Sequence, residues 1–298
     1  MVEVMRKKGI LVYLVLSFAV AWLLWELAIR LTALADNSIL LQFVALPGAF
    51  APAVAAIVVR KWVTGEGFAD AGLKPRLRKG WRHYLLAWLL PLPVVGTIVL
   101  LAAALRIDTP DWTLSRYAVA LGAGELPTLP GWLWAALPVQ LLLSALLTTF
   151  LVWGEEFGWR GYLQPRLVPG RPLVSAVLTG SIWSLWHLPL NLRGYNFPGQ
   201  PFLGMLVFTV TTVLLSIIFG WLQEAAGSVW APSLAHGATN TIGGSLTLLL
   251  YAGVPGWLWV SYVGILSWLP LGALCLWIIW RGLLPDRSPS AIPVADND

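Results

Sequence analysis

Long apolar runs separated by short polar or proline-rich stretches set the pattern of this chain. Eight of them approach the ~20 residues that a helix needs to cross the hydrocarbon core of a bilayer. They are Ile10–Leu34, Ile39–Val59, Tyr84–Leu105, Trp132–Trp153, Leu173–Leu190, Phe202–Leu222, Val229–Tyr251 and Trp257–Trp280. The first run continues from Ile10 past Leu27, too long for a signal-peptide core, and reads as a span. The seventh is the weakest, because His236, Asn240 and several Gly, Ser and Thr residues dilute it; without it the C-terminus changes side. Pro47, Pro52, Pro91, Pro93, Pro138, Pro232 and Pro270 lie in or near these runs and predict kinked helices. The pattern predicts an all-α polytopic membrane protein of eight transmembrane helices. Residues 1–284 form one helical domain in this reading, and residues 285–298 a polar, disordered tail.

Composition agrees with that architecture. Of the 298 residues 58% are hydrophobic and 11% charged, well below the ~25% charged residues of a soluble domain. The 19 tryptophans suit interfacial belts and helix packing. The net charge of +5 is explained by positive-inside bias and not by nucleic acid. With the N-terminus inside, 15 of the 19 Lys and Arg residues fall on the cytoplasmic side, leaving Arg30, Arg106, Arg116 and Arg193 outside. Both termini are therefore expected in the cytoplasm. The main cytoplasmic excursion, Arg60 to His83, is basic, carries Trp62, Phe68 and Trp81, and is expected to lie on the anionic leaflet. The single cysteine, Cys275, excludes a disulfide framework and a Cys-rich metal site.

Against this background a few polar groups need a reason. Glu155 and Glu156 stand side by side at the end of the fourth span, and adjacent carboxylates at a membrane edge are costly unless something uses them. On a continuing helix Glu156 and Arg160 are four residues apart and share a face, whereas Glu155 is rotated by about 100°. Glu156 with Arg160 reads as a structural clasp, leaving Glu155 as a base. His187, with Trp183 one turn before it, offers an imidazole able to take or deliver a proton near neutrality. His236 and Asn240 are again four apart, and both can donate to an oxygen that acquires negative charge. His83 reads as an ordinary interfacial histidine. No Gly-x-Ser-x-Gly elbow is present, and Cys275 lacks a patterned histidine partner.

Two chemistries remain open from the residues. In one, Glu155 and His187 activate water while His236 and Asn240 receive the oxyanion, which would hydrolyse an amide without a cofactor. In the other, Glu155, His187 and His236 hold zinc with water in the fourth place, although His-Glu-x-x-His is absent. A third class is a transporter or immunity protein that uses the same polar groups only for binding. Transport would favour polar groups along a path to both faces, often in repeated halves, and no internal repeat is evident.

Glu155-Glu156-x-x-x-Arg160, Trp183-x-x-x-His187 and His236-x-x-x-Asn240, in this order, resemble the three signatures of the CPBP family of intramembrane glutamate proteases. That family includes the Rce1-type CAAX prenyl endopeptidases and bacteriocin-processing or immunity proteins. The first and third signatures match fully; the second carries Trp183 where phenylalanine is common. The resemblance covers about Trp132 to Thr241. It implies an eight-helix fold with a cavity open to the cytoplasm and laterally to lipid. It further implies Glu155 and His187 as the water-activating pair, His236 and Asn240 as the oxyanion site, and Glu156 and Arg160 as its support. The expected partners are a peptide or lipidated protein substrate and the surrounding membrane lipid, in a prokaryotic cell membrane with the site towards the cytoplasm. No nucleic acid is expected.

Depth constrains this arrangement. At ~1.5 Å per residue His187 lies roughly 20 Å beyond the start of the fifth span, so Glu155 can meet it only if the fourth helix continues to about Leu163. The charge distribution also makes a direct prediction: a reporter fused at Asp298 should register as cytoplasmic and one between Asp111 and Glu125 as external. An external C-terminus would overturn the eight-span topology.

Overall fold

A computed structural model describes residues 2–33, 46–120 and 131–286. Helix makes up 78% of the structure, and no strand occurs among the described residues. Six helical stretches are long and apolar enough to cross a membrane. The principal helices are α1 (Val2–Ala33), α2 (Leu46–Val63), α3 (Leu77–Ala104) and α4 (Gly131–Gly158, prolonged through Trp159–Leu163 to Gln164–Leu167). They continue with α5 (Pro172–Trp186), α6 (Pro201–Ala226), α7 (Trp230–Ala238, then Thr239–Gly244 and Ser245–Tyr251) and α8 (Trp268–Trp280). Parts of the expected organisation lie outside the described residues: the start of the second span at residues 39–45, Glu125 in the outer loop, and residues 287–298 of the tail.

Three of the expected spans are interrupted, although Trp257–Trp280 keeps its expected bounds and, like Leu77–Ala104, is long and apolar enough to cross a membrane. The segment expected over Leu173–Leu190 is a regular helix only to Trp186. Pro189 has no N–H to continue the ladder, and its ring crowds the preceding turn; a separate turn, Leu188–Asn191, follows. The segment expected over Trp257–Trp280 begins with one turn, Trp257–Val260, and becomes regular only at Trp268. Between them Gly264 packs so tightly that a Cβ would meet the Leu258 carbonyl at 2.5 Å and the Ser261 carbonyl at 3.0 Å. The proline pair near Leu90 divides α3 into Leu77–Leu89 and Pro91–Ala104. In contrast, α4 reaches Leu163 as the depth argument requires and runs on to Leu167.

Small residues decide which helices touch. A Cβ on Gly158 would collide with Pro52 of α2, and one on Gly237 would lie 2.8 Å from the Thr149 backbone nitrogen in α4. Thus α4 sits between α2 and α7, while α5 packs along α6. Two indole hydrogen bonds fasten α1 to α5: Trp22 Nε1 donates to the Trp186 carbonyl at 2.9 Å, and Trp186 Nε1 donates to the Ser17 carbonyl at 3.0 Å. Three turns are wider than α-helical, with π geometry at Val59–Val63, Trp159–Leu163 and Thr239–Gly244. Such turns interrupt the regular ladder and recur at functional sites.

The first two wide turns meet. Arg60, fully buried in the α2 turn, donates to the Gly161 carbonyl of the α4 turn at 2.8 Å. It also donates to the Gly67 carbonyl and to Asp70, each at 2.7 Å. Arg166 at the end of α4 binds Asp70 at 2.7 Å and Glu66 at 2.9 Å. The loop after α2, read from sequence as a basic surface, is thus also held to the bundle by its acidic residues. Burial alone would raise the Asp70 carboxyl, but the hydrogen bonds and charges of Arg60 and Arg166 outweigh it and hold the group below its usual range. A depressed folded value stabilises above the unfolded pKa of about 4 and is lost as pH falls through the lowered value. Asp70→Asn should therefore melt below wild type at neutral pH, with the gap closing in acid; thermal unfolding in detergent across pH measures it.

Candidate active site

The depth problem is solved by the α4–α5 hairpin. Glu155 lies roughly 18 Å before the end of α4 at Leu167, and His187 roughly 22 Å after the start of α5 at Pro172, at ~1.5 Å per residue. Antiparallel helices joined by a short turn bring those two positions to matching height. Trp183, one turn before His187, lies between them. Its Nε1–H donates to Glu155 Oε2 at 2.8 Å, and both side chains are buried. Its ring centroid is 5.8 Å from that of His187 and 5.2 Å from that of His236, edge to face in both cases. Trp183 is therefore the common neighbour of Glu155 and both histidines. A phenylalanine here would supply the ring but no N–H.

His187 caps α5. Its Nδ1 is 2.9 Å from the Trp183 carbonyl. A carbonyl oxygen only accepts, so Nδ1 carries the proton and the neutral ring keeps its lone pair on Nε2. Trp25 of α1, Trp186 of α5 and Phe208 of α6 surround the ring at centroid distances of 5.9, 4.8 and 5.2 Å. Sequence reasoning did not single out these three aromatic residues. Their apolar character made them indistinguishable from ordinary core, and only long-range packing brings them to one imidazole.

Glu156 faces away from Glu155, as the rotation between neighbouring helical residues requires. Arg160 Nη1 donates to Glu156 Oε1 at 2.9 Å, and neither side chain is exposed. The guanidinium also lies 4.7 Å from the Trp183 ring centroid and 5.1 Å from that of Phe219. The same Glu156 oxygen is 2.9 Å from His236 Nδ1. The expected clasp is present, and it holds more than expected, because His236 is tied to Glu156 across the α4–α7 interface. Asn240 is placed differently. It falls in the wide turn Thr239–Gly244, is exposed, and makes no described hydrogen bond to the cluster, whereas His236 is buried.

Among the described residues no group of three His, Cys, Asp or Glu side chains stands together as a metal site. Nδ1 of each histidine is engaged, by the Trp183 carbonyl and by Glu156, and Nε2 of each ring is left open. A cavity of about 410 Å³ elsewhere is lined by His83, Trp221, Glu224, Ala225, Trp277 and Leu283, none of them a candidate catalytic residue.

The burial of Glu156 generates a stability prediction. Removing one partner of a buried ion pair leaves the other uncompensated, at a cost of about 3–5 kcal/mol. Glu156→Ala should lower the thermal midpoint clearly in detergent, because Arg160 and His236 both lose their acceptor. An unchanged midpoint would mean that water replaces the carboxylate.

Residues 128–242 match the family model of the type II CAAX prenyl endopeptidase Rce1-like proteins. The chain is also 28% identical over 220 residues to CAAX prenyl protease 2 of Methanococcus maripaludis, across 70% of this chain and 74% of that relative. The matched interval contains Glu155, Glu156, Arg160, Trp183, His187, His236 and Asn240. Residues 128–242 thus resemble the Rce1-like proteins, and the chain built around them is a membrane peptidase.

Proposed function

We propose that this protein is an intramembrane endopeptidase that cleaves a membrane-associated or lipidated protein, with water activated by Glu155 and His187. The observation that carries the reading is the buried Glu155 carboxylate, bonded by the Trp183 indole whose ring touches both histidines. In the proposed reaction His187 Nε2, whose lone pair is left available by the Nδ1 hydrogen bond, and Glu155 share the task of drawing a proton from water. The water oxygen bonds to the peptide carbonyl carbon, and the carbonyl oxygen becomes an oxyanion. Collapse of the tetrahedral intermediate breaks the C–N bond, and the proton taken from water passes to the leaving amine.

His236 and Asn240 are assigned to the oxyanion. For His236 to donate through Nε2 while Nδ1–H bonds Glu156, the ring carries both protons, and Glu156 accepts one of them in a hydrogen bond. Asn240, exposed one turn further along α7, is accessible to a bound carbonyl. Glu156 and Arg160 support this arrangement, and no metal takes part in it. The substrate class follows the relative's name: a prenylated CAAX-type segment. The accompanying topology is eight spans within residues 1–284, cytoplasmic termini, a polar tail over 285–298 and a site reached from the cytoplasmic face of a prokaryotic membrane. The uneven Lys and Arg distribution supports it.

Purified protein in liposomes should release the C-terminal peptide from a prenylated CAAX reporter faster than from the same peptide without its prenyl group. Glu155→Gln keeps the side-chain shape but removes the base, so cleavage should fall by about 100- to 10,000-fold. His187→Ala should fall within the same range. Full cleavage by folded Glu155→Gln protein would remove Glu155 from the mechanism, and equal rates on both reporters would remove the prenyl group from the substrate.

A further inference from the structure

The hydrogen bond between Trp183 and Glu155 has a role that the general-base assignment does not include. We infer that Trp183 is a positioning residue whose indole N–H fixes which oxygen of Glu155 faces the reacting water. The inference rests on the proposed role of Glu155.

A glutamate side chain turns about three bonds, and its two carboxylate oxygens exchange by rotation about the last of them, for which the preference is broad. Trp183 removes that freedom at one oxygen. Its Nε1–H donates to Oε2 at 2.8 Å, and this is the described hydrogen bond of the Glu155 side chain. Oε1 is then the oxygen presented to water. The donor is itself immobilised: Trp183 is 3% exposed and has Arg160 over its face at 4.7 Å. Phe219, His187 and His236 pack around it at centroid distances of 6.2, 5.8 and 5.2 Å. The side chain that orients Glu155 also touches both histidines, so one rigid indole sets the base relative to the remaining polar groups. A reacting group held near its productive geometry avoids the entropy and reorganisation otherwise lost at each turnover.

The indole performs no proton transfer, since its N–H only donates. It also has a second, apolar function as packing, and the two can be separated chemically. Trp183→Phe retains a ring and loses the donor. Replacement of Trp183 by 3-(3-benzothienyl)alanine retains the two-ring outline and puts sulfur where the N–H was. If the N–H positions Glu155, both replacements should lower kcat by about 10- to 100-fold, the range expected for losing a hydrogen bond to a charged group. KM should stay within about twofold, because the lost contact is made to the base and not to the substrate.

The measurement is steady-state cleavage of the lipidated reporter in liposomes, with thermal unfolding of each variant alongside. Should Trp183→Phe fail to fold, the benzothienyl variant decides the question. Unchanged kcat in a folded variant lacking the N–H, with Glu155→Gln inactive, would overturn the positioning role alone. A raised KM with unchanged kcat would also overturn it, showing that the indole is a substrate contact. Glu155→Gln protein that cleaves normally would overturn the Glu155 mechanism and this inference together.

Discussion

Removing a carboxylate and a guanidinium from water costs several kcal/mol for each, and inside this bundle their mutual attraction is the main compensation. Glu156 and Arg160 meet that condition one helical turn apart, so the pair forms within α4 wherever the helix is continuous. What makes it a constraint on the whole molecule is its second partner. His236 comes from α7, and its bond to the same Glu156 oxygen sets the height of α7 against α4. Gly237, the next residue, allows the close approach that this bond requires. The cluster of polar side chains is built on this electrostatic fixture.

From that fixture the functional groups diverge in an ordered way. Glu155 precedes Glu156 and therefore points elsewhere, towards α5 and Trp183. Arg160, under the Trp183 ring, joins the two halves: its charge answers Glu156 on one side and its planar face meets the indole on the other. His187 is held by a different device, the free carbonyl that a helix leaves at its last turn. The end of α5 at Trp186, set by Pro189, makes that carbonyl available. A helix running to Leu190, as expected from apolarity alone, would have used the Trp183 carbonyl for the backbone ladder.

The sequence made some of this legible and hid the rest for identifiable reasons. Adjacent carboxylates in an apolar context have few inexpensive explanations, so Glu155 and Glu156 stood out at once. The Arg160 partnership needed only helical periodicity. Length and depth together required α4 to reach about Leu163, which it does. The bond between Glu156 and His236 was hidden, because no local pattern relates residues on different helices. Trp183 was recognised as a neighbour of His187, but its N–H donation to Glu155 depends on how α4 and α5 face each other. The wide turns were also hidden. They are features of backbone geometry that residue types alone do not encode, and one of them contains Asn240. Hydropathy drew all eight runs and marked only the seventh as weak, whereas in the structure α5 is also too short to count among the six stretches long enough to cross a membrane.

The wide turn at Trp159–Leu163 also gives α4 slack in its residue count. It takes up one more residue than a regular turn, so the helix beyond it keeps its phase. Deleting a single residue there would close the turn to ordinary α geometry and leave Arg166 facing Asp70 and Glu66 as before. The local loss would be the carbonyl of Gly161 that Arg60 now reaches. The same deletion in a wholly α-helical stretch would rotate everything beyond it by about 100°. Length changes should therefore be tolerated more readily inside this turn than elsewhere along α4.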